Sequence, residues 1–289
     1  MTEILDTVLQ GVLLGGLYAL FAAGLALIFG VMRLVNLAHG DLIVLAAYVI
    51  LTLAGALHLG VVLGFLLALP LMFAAGYVLQ AGLLNRVLGD DILPPLLTTF
   101  GLSIILQNAM LKTFSADSRR LTSDGIENAS LSLFNGLAIG VMPLLTFVAA
   151  VVVIVALNQL FYRTALGRAF RAVSDDPVTA RLMGIDDRRL FAVAMGIALV
   201  VCTIAALFLG LRANFDPSIG PGRLIFAFEA VIIGGLGSLW GTLAGGVIVG
   251  VAQTVGASID PEWQLLAGHI AFLVVLAVAP RGLFPRAVD

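Results

Sequence analysis

The fold of this chain is indicated by one polar stretch, residues 160–190, which reads LFYRTALGRAFRAVSDDPVTARLMGIDDRRL. This stretch, which we call the polar island, separates two apolar segments in a chain that is 61% hydrophobic and only 11% charged. Six of the fifteen Lys and Arg residues lie in it: Arg163, Arg168, Arg171, Arg181, Arg188 and Arg189. A long basic segment between apolar ones is typical of a membrane protein at the point where it meets the cytoplasm.

The apolar segments around the island are long enough to cross a bilayer as helices. Mean hydropathy is +1.13, whereas a soluble domain usually has roughly a quarter of its residues charged. Windows of about 20 apolar residues, the length that spans the hydrocarbon core, recur along the chain. We therefore predict an all-α polytopic membrane protein, one transmembrane domain over residues 1–289, with about eight spans. The predicted spans are 8–30, 41–57, 61–84, 92–112, 139–161, 190–211, 224–256 and 263–279.

The block 224–256 is too long for one straight helix and too short for two full crossings. Four glycines interrupt it around Trp240: Gly234, Gly235, Gly237 and Gly241. Irregular backbone is tolerated at membrane depth only where protein or a polar cavity surrounds it. The pattern predicts a broken helix or a re-entrant hairpin, and both place the two ends of the block on one side.

The distribution of basic residues predicts the orientation. With the polar island in the cytoplasm, ten basic residues are cytoplasmic and five lie outside, the bias expected of a membrane protein. The cytoplasmic set adds Arg33, Arg86, Arg281 and Arg286 to the island, and the outer set is Lys112, Arg119, Arg120, Arg212 and Arg223. The N-terminus is then outside and the C-terminus in the cytoplasm. Residues 1–11 contain no Lys or Arg, unlike a secretory signal, so we predict an uncleaved first span.

Small residues recur at a spacing of four in two spans. One set is Gly11, Gly15, Ala19 and Ala23, and the other is Gly237, Gly241 and Gly245 with Gly246 and Gly250 beside them. Such stripes allow helix backbones to approach closely in lipid, so we predict helix packing here. No internal repeat is evident. The segment 113–138 has mixed charges and Ser, Asn and Gly, and we predict an extracytoplasmic loop that includes a short helix.

Several kinds of chemistry are absent from the sequence. The only lysine, Lys112, follows Leu111, so the chain has no phosphate-binding P-loop. The single Cys202 excludes an internal disulfide, and we interpret it as a buried packing residue. The three histidines form no metal-binding motif. We predict no catalytic residue, no metal site and no cofactor, and the net charge of −2 argues against nucleic acid.

Within the island, residues 177–183 are predicted to form a short helix with both ends marked. Asp176 can cap the free amides, Pro177 suits the first helical position, and Gly184 suits a left-handed stop. An isolated helix of this length is marginal in water, so it needs a surface to pack against. Leu182 and Met183 offer an apolar patch. That surface is either the protein's own bundle or a partner.

The chain resembles the permease subunits of bacterial ABC importers for branched-chain amino acids, a family that also includes urea and short-amide permeases. Three stretches carry the resemblance: Gly24–Val49, Gly167–Ile185 and Phe228–Gly250. The ending RGLFP, from Arg281 to Pro285, is similar as well. The resemblance implies a complex with a second homologous permease, two cytoplasmic ABC ATPases and an extracytoplasmic solute-binding protein, in the bacterial inner membrane.

By the same resemblance, residues 163–190 are a cytoplasmic coupling loop whose short helix contacts an ATPase. The residues that we expect to carry this contact are Arg171, Asp175, Asp176, Pro177, Arg181, Leu182, Met183 and Gly184. ATP binding would move this helix and switch the side toward which the pathway opens. This role would explain why a polar island occurs in a chain without a P-loop.

A second group of polar residues, Asn36, His39 and Asp41, lies at the junction of the first two spans, close to Arg33. Ionisable groups at membrane depth are costly, at about 2.5–3.5 kcal/mol for a charge at the helix centre. Two interpretations are open. These residues line the solute pathway, or Asp41 simply caps the second span while Arg33 marks the membrane boundary.

Glu229 lies inside an apolar run, and an intramembrane carboxylate is a functional candidate by default. It is predicted to line the pathway and meet a solute ammonium or amide, or to pair with Arg223 or Arg212. Glu229 departs from the small or apolar residue expected in the family, and Trp240 departs from the expected Pro or small residue. Both departures bear on the choice of solute.

These observations predict a permease subunit that moves hydrophobic amino acids by alternating access, with ATP hydrolysed by other subunits. Urea or a short amide is the alternative within the family. A stand-alone channel or secondary transporter, using Glu229 or Asp41 as a cation or proton site, is the alternative from another class. A scaffold protein without transport activity is the third.

Overall fold

The computed structural model describes residues 2–58, 60–89, 91–123, 129–132 and 138–284. Within these residues the chain forms eleven α-helices and one two-stranded antiparallel sheet. The helices are α1 Thr2–Met32, α2 His39–Ala56, α3 Val61–Gly82, α4 Leu93–Phe114, α5 Val141–Arg163, α6 Ala165–Asp175, α7 Pro177–Leu182, α8 Asp187–Arg212, α9 Gly220–Gly234, α10 Leu239–Ile259 and α11 Trp263–Val278. The strands are β1 Ser130–Ser132 and β2 Ala138–Gly140, and a 3₁₀ helix, Leu84–Arg86, follows α3.

The predicted all-α polytopic class is confirmed. Seven of the described helices are long and apolar enough to cross a membrane: α1, α2, α3, α4, α5, α8 and α10. α9 and α11 are apolar but shorter, at 15 and 16 residues. Most predicted boundaries lie within three residues of the observed ones; α1 is longer, because it begins at Thr2. The total of eight spans stays a prediction.

The centre of the bundle is α1, which packs antiparallel against α10 at unusually short range. A Cβ atom added at Gly15 would lie 2.5 Å from the Val247 Cα, and one at Gly246 would lie 2.8 Å from the Ala19 nitrogen. The predicted packing role of these small residues is confirmed. Cys202 is 1% exposed on the α8 side of this core, as predicted for a packing residue.

The chain turns back on itself after α1. Arg33 has a φ of 52°, the left-handed region, and the six residues from Arg33 to Ala38 return along α1. α2 therefore begins deep in the bundle. This position is shown by the His39 Nε2 atom, which lies 2.8 Å from the carbonyl oxygen of Phe21. Phe21 is about 16 Å along the helix axis from the end of α1 at Met32.

The same arrangement occurs a second time, in the opposite direction. α8 ends at Arg212, residues 213–219 are non-helical, and α9 begins at Gly220. α8 packs on α3 as α1 packs on α10, with close approaches between Gly76 and Gly196. The units α1–α3 and α8–α10 are therefore an inverted repeat. The first turns of α2 and α9 meet where Gly40 contacts Gly220. The sequence shows no evident repeat, as is common for inverted repeats of transporters.

The glycine-rich block consists of two helices, α9 and α10, joined by residues 235–238. Gly235 and Gly237 have φ values of 99° and 82°, which L-residues rarely adopt. The helices run antiparallel in close contact, since Gly234 packs on Gly241 and Gly245 on Ala230. Whether α9 is a re-entrant segment stays a prediction.

The segment 113–138 contains the end of α4, an extended part and strand β1, and β2 begins at its last residue. Arg119 pairs with Phe215 through two backbone hydrogen bonds of 2.8 Å, which fastens this segment to the residues between α8 and α9. The short helix that we expected is not found in the described part, and residues 124–128 and 133–137 lie outside it. Pro285 and Arg286 also lie outside the described residues.

Candidate functional site

The polar island forms two helices, and the first was missed by the sequence analysis. α6 runs from Ala165 to Asp175, and the Thr164 hydroxyl accepts a hydrogen bond of 3.0 Å from the Gly167 N–H as an N-cap. Phe170 and Val173 are buried on one face. The signal was present in the sequence, because a threonine precedes an amphipathic segment with arginines on its outer face.

The second helix, α7, has the predicted caps. Asp176 accepts hydrogen bonds of 3.0 Å from the N–H groups of Val178 and Thr179, Pro177 occupies the first helical position, and Gly184 has a φ of 82°. Hydrogen bonds from the Thr179 hydroxyl and N–H lower the pKa of Asp176 from its ordinary value. The helix ends at Leu182, one residue earlier than predicted.

α7 presents its apolar end to the surroundings. Leu182 and Met183 are 82% and 78% exposed, and Val178 is 66% exposed. Ala180 is the one buried residue of the helix. The patch is therefore not packed against the described part of the bundle.

Two arginine side chains hold the island in place. Arg181 donates two hydrogen bonds, of 3.0 and 2.6 Å, to the Asp187 carboxylate at the start of α8, and this contact raises the pKa of Arg181. Arg171 donates to the carbonyl oxygen of Phe161 and lies over the Tyr162 ring. Arg171 thus fixes α6 on α5 in this structure, whereas Asp175 is exposed at the end of α6.

α6 is also attached to the end of α1. The Ser174 hydroxyl donates a hydrogen bond of 2.8 Å to the carbonyl oxygen of Gly30. Arg33, at the point where the chain turns back, donates to the carbonyl oxygen of Ser174 at 3.3 Å. A displacement of the island would therefore act directly on the residues that lead from α1 to α2.

The group Asn36, His39 and Asp41 lies inside the bundle and is fully buried. The Asn36 Oδ1 atom accepts a hydrogen bond of 3.0 Å from the Ala38 N–H. Asp41 does not cap α2, whose N-cap is Ala38 without a side-chain hydrogen bond. The alternative in which Asp41 serves as the cap is therefore wrong, and its carboxylate instead faces α4 and the start of α9.

Asp41 is held by residues of α4 that the sequence analysis missed. The Ser103 hydroxyl donates to the Asp41 carboxylate at 2.5 Å, and the Gln107 amide donates to the Ser103 oxygen at 3.0 Å. One turn earlier, the Thr99 hydroxyl accepts a hydrogen bond from the Leu37 N–H. Thr99, Ser103 and Gln107 recur at a spacing of four, so they share one helix face, a signal that the sequence contained.

Glu229 is 4% exposed and its carboxylate pairs with the Nδ1 atom of His269 on α11. Neither Arg223 nor Arg212, the predicted partners, forms an ion pair with it among the described residues. The predicted pairing was wrong because His269 lies forty residues away in the sequence and reaches Glu229 only when α9 packs on α11. Glu229 shares no hydrogen bond with Asn36, His39 or Asp41.

Comparison with known proteins agrees with this architecture. Residues 7–279 match the family described as branched-chain amino acid transport system / permease component. The high-affinity branched-chain amino acid transport system permease protein BraD of Pseudomonas aeruginosa is 29% identical, over 98% of this chain and 96% of BraD. LivH of Escherichia coli, of the same description, is 28% identical over 98% and 96%.

A relative with a different solute in its name has a similar percentage identity. The fructose import permease protein FrcC of Rhizobium meliloti is 30% identical over 96% of this chain and 82% of FrcC. Among solved structures, PsaBC from Streptococcus pneumoniae in complex with Fab aligns with a TM-score of 0.50 at 15% identity, over 97% of this chain and 96% of that one. The last comparison concerns the fold alone.

Proposed function

Because the chain belongs to the family of branched-chain amino acid transport system permease components, we propose that it forms the pathway for hydrophobic amino acids in an ABC importer. It is a permease subunit of such an importer. The transport cycle that we propose is alternating access, driven by two ATPase subunits and supplied by an extracytoplasmic binding protein. A second homologous permease completes the membrane part.

The observation that carries this proposal is helix α7. Its two ends are capped and fixed, yet Val178, Leu182 and Met183 are exposed. A helix of six residues gains little stability by itself, and an exposed apolar patch on a fixed element is typical of a docking surface. We propose that α7 inserts into a groove of an ATPase subunit, with Pro177 and Asp176 setting its direction.

The orientation follows from this role. The island, the end of α1 and residues 235–238 lie at one end of the bundle, and we propose that this end faces the cytoplasm. The N-terminus is then outside and the C-terminus inside, in the bacterial inner membrane. The positively charged island on the cytoplasmic side supports this choice.

The similarity to FrcC makes a neutral sugar the second candidate solute. A sugar is recognised by uncharged hydrogen-bonding groups, whereas an amino acid carries both an ammonium and a carboxylate. The bundle contains a buried Glu229 and two half-buried arginines, Arg212 and Arg223, without ion-pair partners among the described residues. Charges of both signs within the bundle favour a zwitterionic solute over a neutral one.

The test uses the complete importer, reconstituted in liposomes with ATP inside and the binding protein outside. We expect ATP-dependent uptake of L-leucine, L-isoleucine or L-valine that a hundredfold excess of fructose does not reduce. ATP-independent uptake by this chain alone would contradict the proposal, and so would uptake of fructose but not of these amino acids.

The role of α7 is tested in the same liposomes with a matched pair of variants. Replacement of Asp176–Pro177 by Gly-Gly removes the cap and the rigid first residue, so ATP hydrolysis should continue while uptake is lost. The same replacement at Asp260–Pro261, an exposed pair at the opposite end of the bundle, is the control and should retain both. Equal uptake by the two variants would refute the docking role.

A further inference from the structure

Six polar side chains from α1 and from α8 to α11 form a second cluster, separate from the Asp41 group. They are Tyr18, Arg212, Arg223, Glu229, Gln253 and His269. The Tyr18 hydroxyl donates to the Gln253 Oε1 atom at 2.5 Å, and Glu229 pairs with His269. Arg212, Arg223 and Glu229 lie close enough to act electrostatically on the Tyr18 hydroxyl. We call these six residues the α9 cluster.

The hydrogen bonds of the α9 cluster are incomplete. Four buried atoms have no hydrogen-bond partner among the described residues: Glu229 Oε2, Gln253 Nε2, Arg212 Nη1 and Arg223 Nε. Glu229 is 4% exposed and Gln253 is 0% exposed. The great majority of buried polar atoms in proteins are hydrogen-bonded, so four unpartnered atoms in one cluster make it a candidate site for a polar ligand.

The four unpartnered atoms include both a hydrogen-bond acceptor and hydrogen-bond donors. The free Glu229 oxygen can only accept a hydrogen bond when the carboxylate is ionised, and the arginine nitrogens can only donate. Asp216 acts electrostatically on Arg223, but it forms no ion pair with Arg223 among the described residues, and its carboxylate accepts from the Ser218 hydroxyl and N–H. The cluster therefore offers one carboxylate oxygen that can accept and nitrogens of two arginines that can donate, all without a partner among the described residues.

The spacing of these groups also matters. Arg223 and Glu229 are six residues apart on α9, a rise of about 9 Å. With a hydrogen bond of about 2.8 Å at each end, an α-amino acid is short enough to lie between the two residues along α9. Between them on α9 lies Phe226, whose ring stacks on Tyr18 at 4.8 Å and offers an apolar surface.

We propose that the α9 cluster binds the solute as a zwitterion, with the ammonium at Glu229 and the carboxylate at Arg223 and Arg212. This inference rests on the proposed function and adds the residues that recognise the solute. His269 holds one oxygen of Glu229 and leaves the other free for the ammonium. The aliphatic side chain of the solute lies against the rings of Phe226 and Tyr18.

The test measures equilibrium binding of three radiolabelled probes to the permease–ATPase complex in nanodiscs, without the binding protein. L-Leucine carries both charged groups, 4-methylpentanoate lacks the ammonium, and 3-methylbutylamine lacks the carboxylate. Glu229→Gln should weaken binding of leucine and of the amine at least tenfold and leave 4-methylpentanoate unchanged. Arg223→Gln should weaken binding of leucine and 4-methylpentanoate and leave the amine unchanged.

The control variant is Glu262→Gln, an exposed glutamate beside α11, which should bind all three probes as the unaltered protein does. Thermal stability of each variant shows that it is folded. If Glu229→Gln weakens all three probes equally, or none, the assignment of Glu229 to the ammonium is overturned. ATP-driven leucine uptake, measured separately, decides the proposed function, so uptake without the selective probe pattern would overturn the site alone.

Discussion

The contact between the first turns of α2 and α9 can be tested by adding one methyl group. A Cβ atom at Gly40 would lie 2.8 Å from the carbonyl carbon of Gly220 and 3.0 Å from the Leu224 nitrogen, and closer still to the Gly220 oxygen. All of these are backbone atoms, so no side-chain rotation relieves the overlap. We expect Gly40→Ala to force the start of α9 away from α2.

The magnitude follows from the geometry. Ordinary contact between carbon atoms is about 3.5–4.0 Å, so the start of α9 must withdraw by roughly 0.7 Å or more. Overpacking of this kind costs about 1–3 kcal/mol. Gly222→Ala is the matched control, because Gly222 lies in the first turn of α9 with nothing within 4 Å of an added Cβ.

The control cancels the effect of helix propensity. Both glycines lie in the first turn of a helix, so the preference of alanine over glycine affects the two variants alike, and their difference isolates the overlap. Thermal unfolding in detergent, followed by circular dichroism, should give a lower midpoint for Gly40→Ala than for Gly222→Ala. Equal midpoints would refute the direct contact of the two helices.

Three other outcomes are expected in the liposome assay. Asp176→Ala should uncouple ATP hydrolysis from uptake, whereas Asp176→Asn, which keeps the cap, should not. The pKa of Asp176 is lowered, so its carboxylate is protonated, and its capping of α7 is weakened, only as pH falls through that lowered value. The effect of Asp176→Ala should therefore be constant from pH 6 to pH 8. Arg181→Gln should uncouple partially, by releasing α7 from Asp187, and unchanged coupling would contradict this. Asp41→Asn should slow uptake while Asp117→Asn, an exposed control, should not; equal rates would remove Asp41 from the pathway.

The sequence was sufficient for features that depend on neighbouring residues. Asp176, Pro177 and Gly184 define the limits of α7, because caps and left-handed stops are set within one helical turn. The small residues from Gly11 to Ala19 indicated close packing, because their spacing of four along one helix can be recognised from the sequence alone. The helical class followed from composition, because in lipid the backbone must satisfy its own hydrogen bonds.

Features that depend on distant parts of the chain were not accessible in this way. The six residues from Arg33 to Ala38 have the length of an ordinary loop, and only the contact between His39 and Phe21 reveals that the chain returns into the bundle. The pairing of Glu229 with His269 likewise exists only once α9 lies beside α11. The inverted repeat was hidden because the two units follow similar backbone paths with unrelated side chains.

The position of α9 explains how the island and the solute site can influence each other. The Ser174 hydroxyl attaches α6 to Gly30, and Arg33 attaches the following turn to α6. From there the chain leads to Gly40, which contacts Gly220 at the start of α9, and one turn later to Arg223. A movement of the island therefore reaches the carboxylate end of the proposed site through direct contacts, without any rearrangement of the α1–α10 core. Arg212 lies at the end of α8 and Arg223 near the start of α9. Displacement of the start of α9 therefore changes the separation between the two arginines at the carboxylate end, and a site of this kind can bind the solute in one state of the cycle and release it in the other.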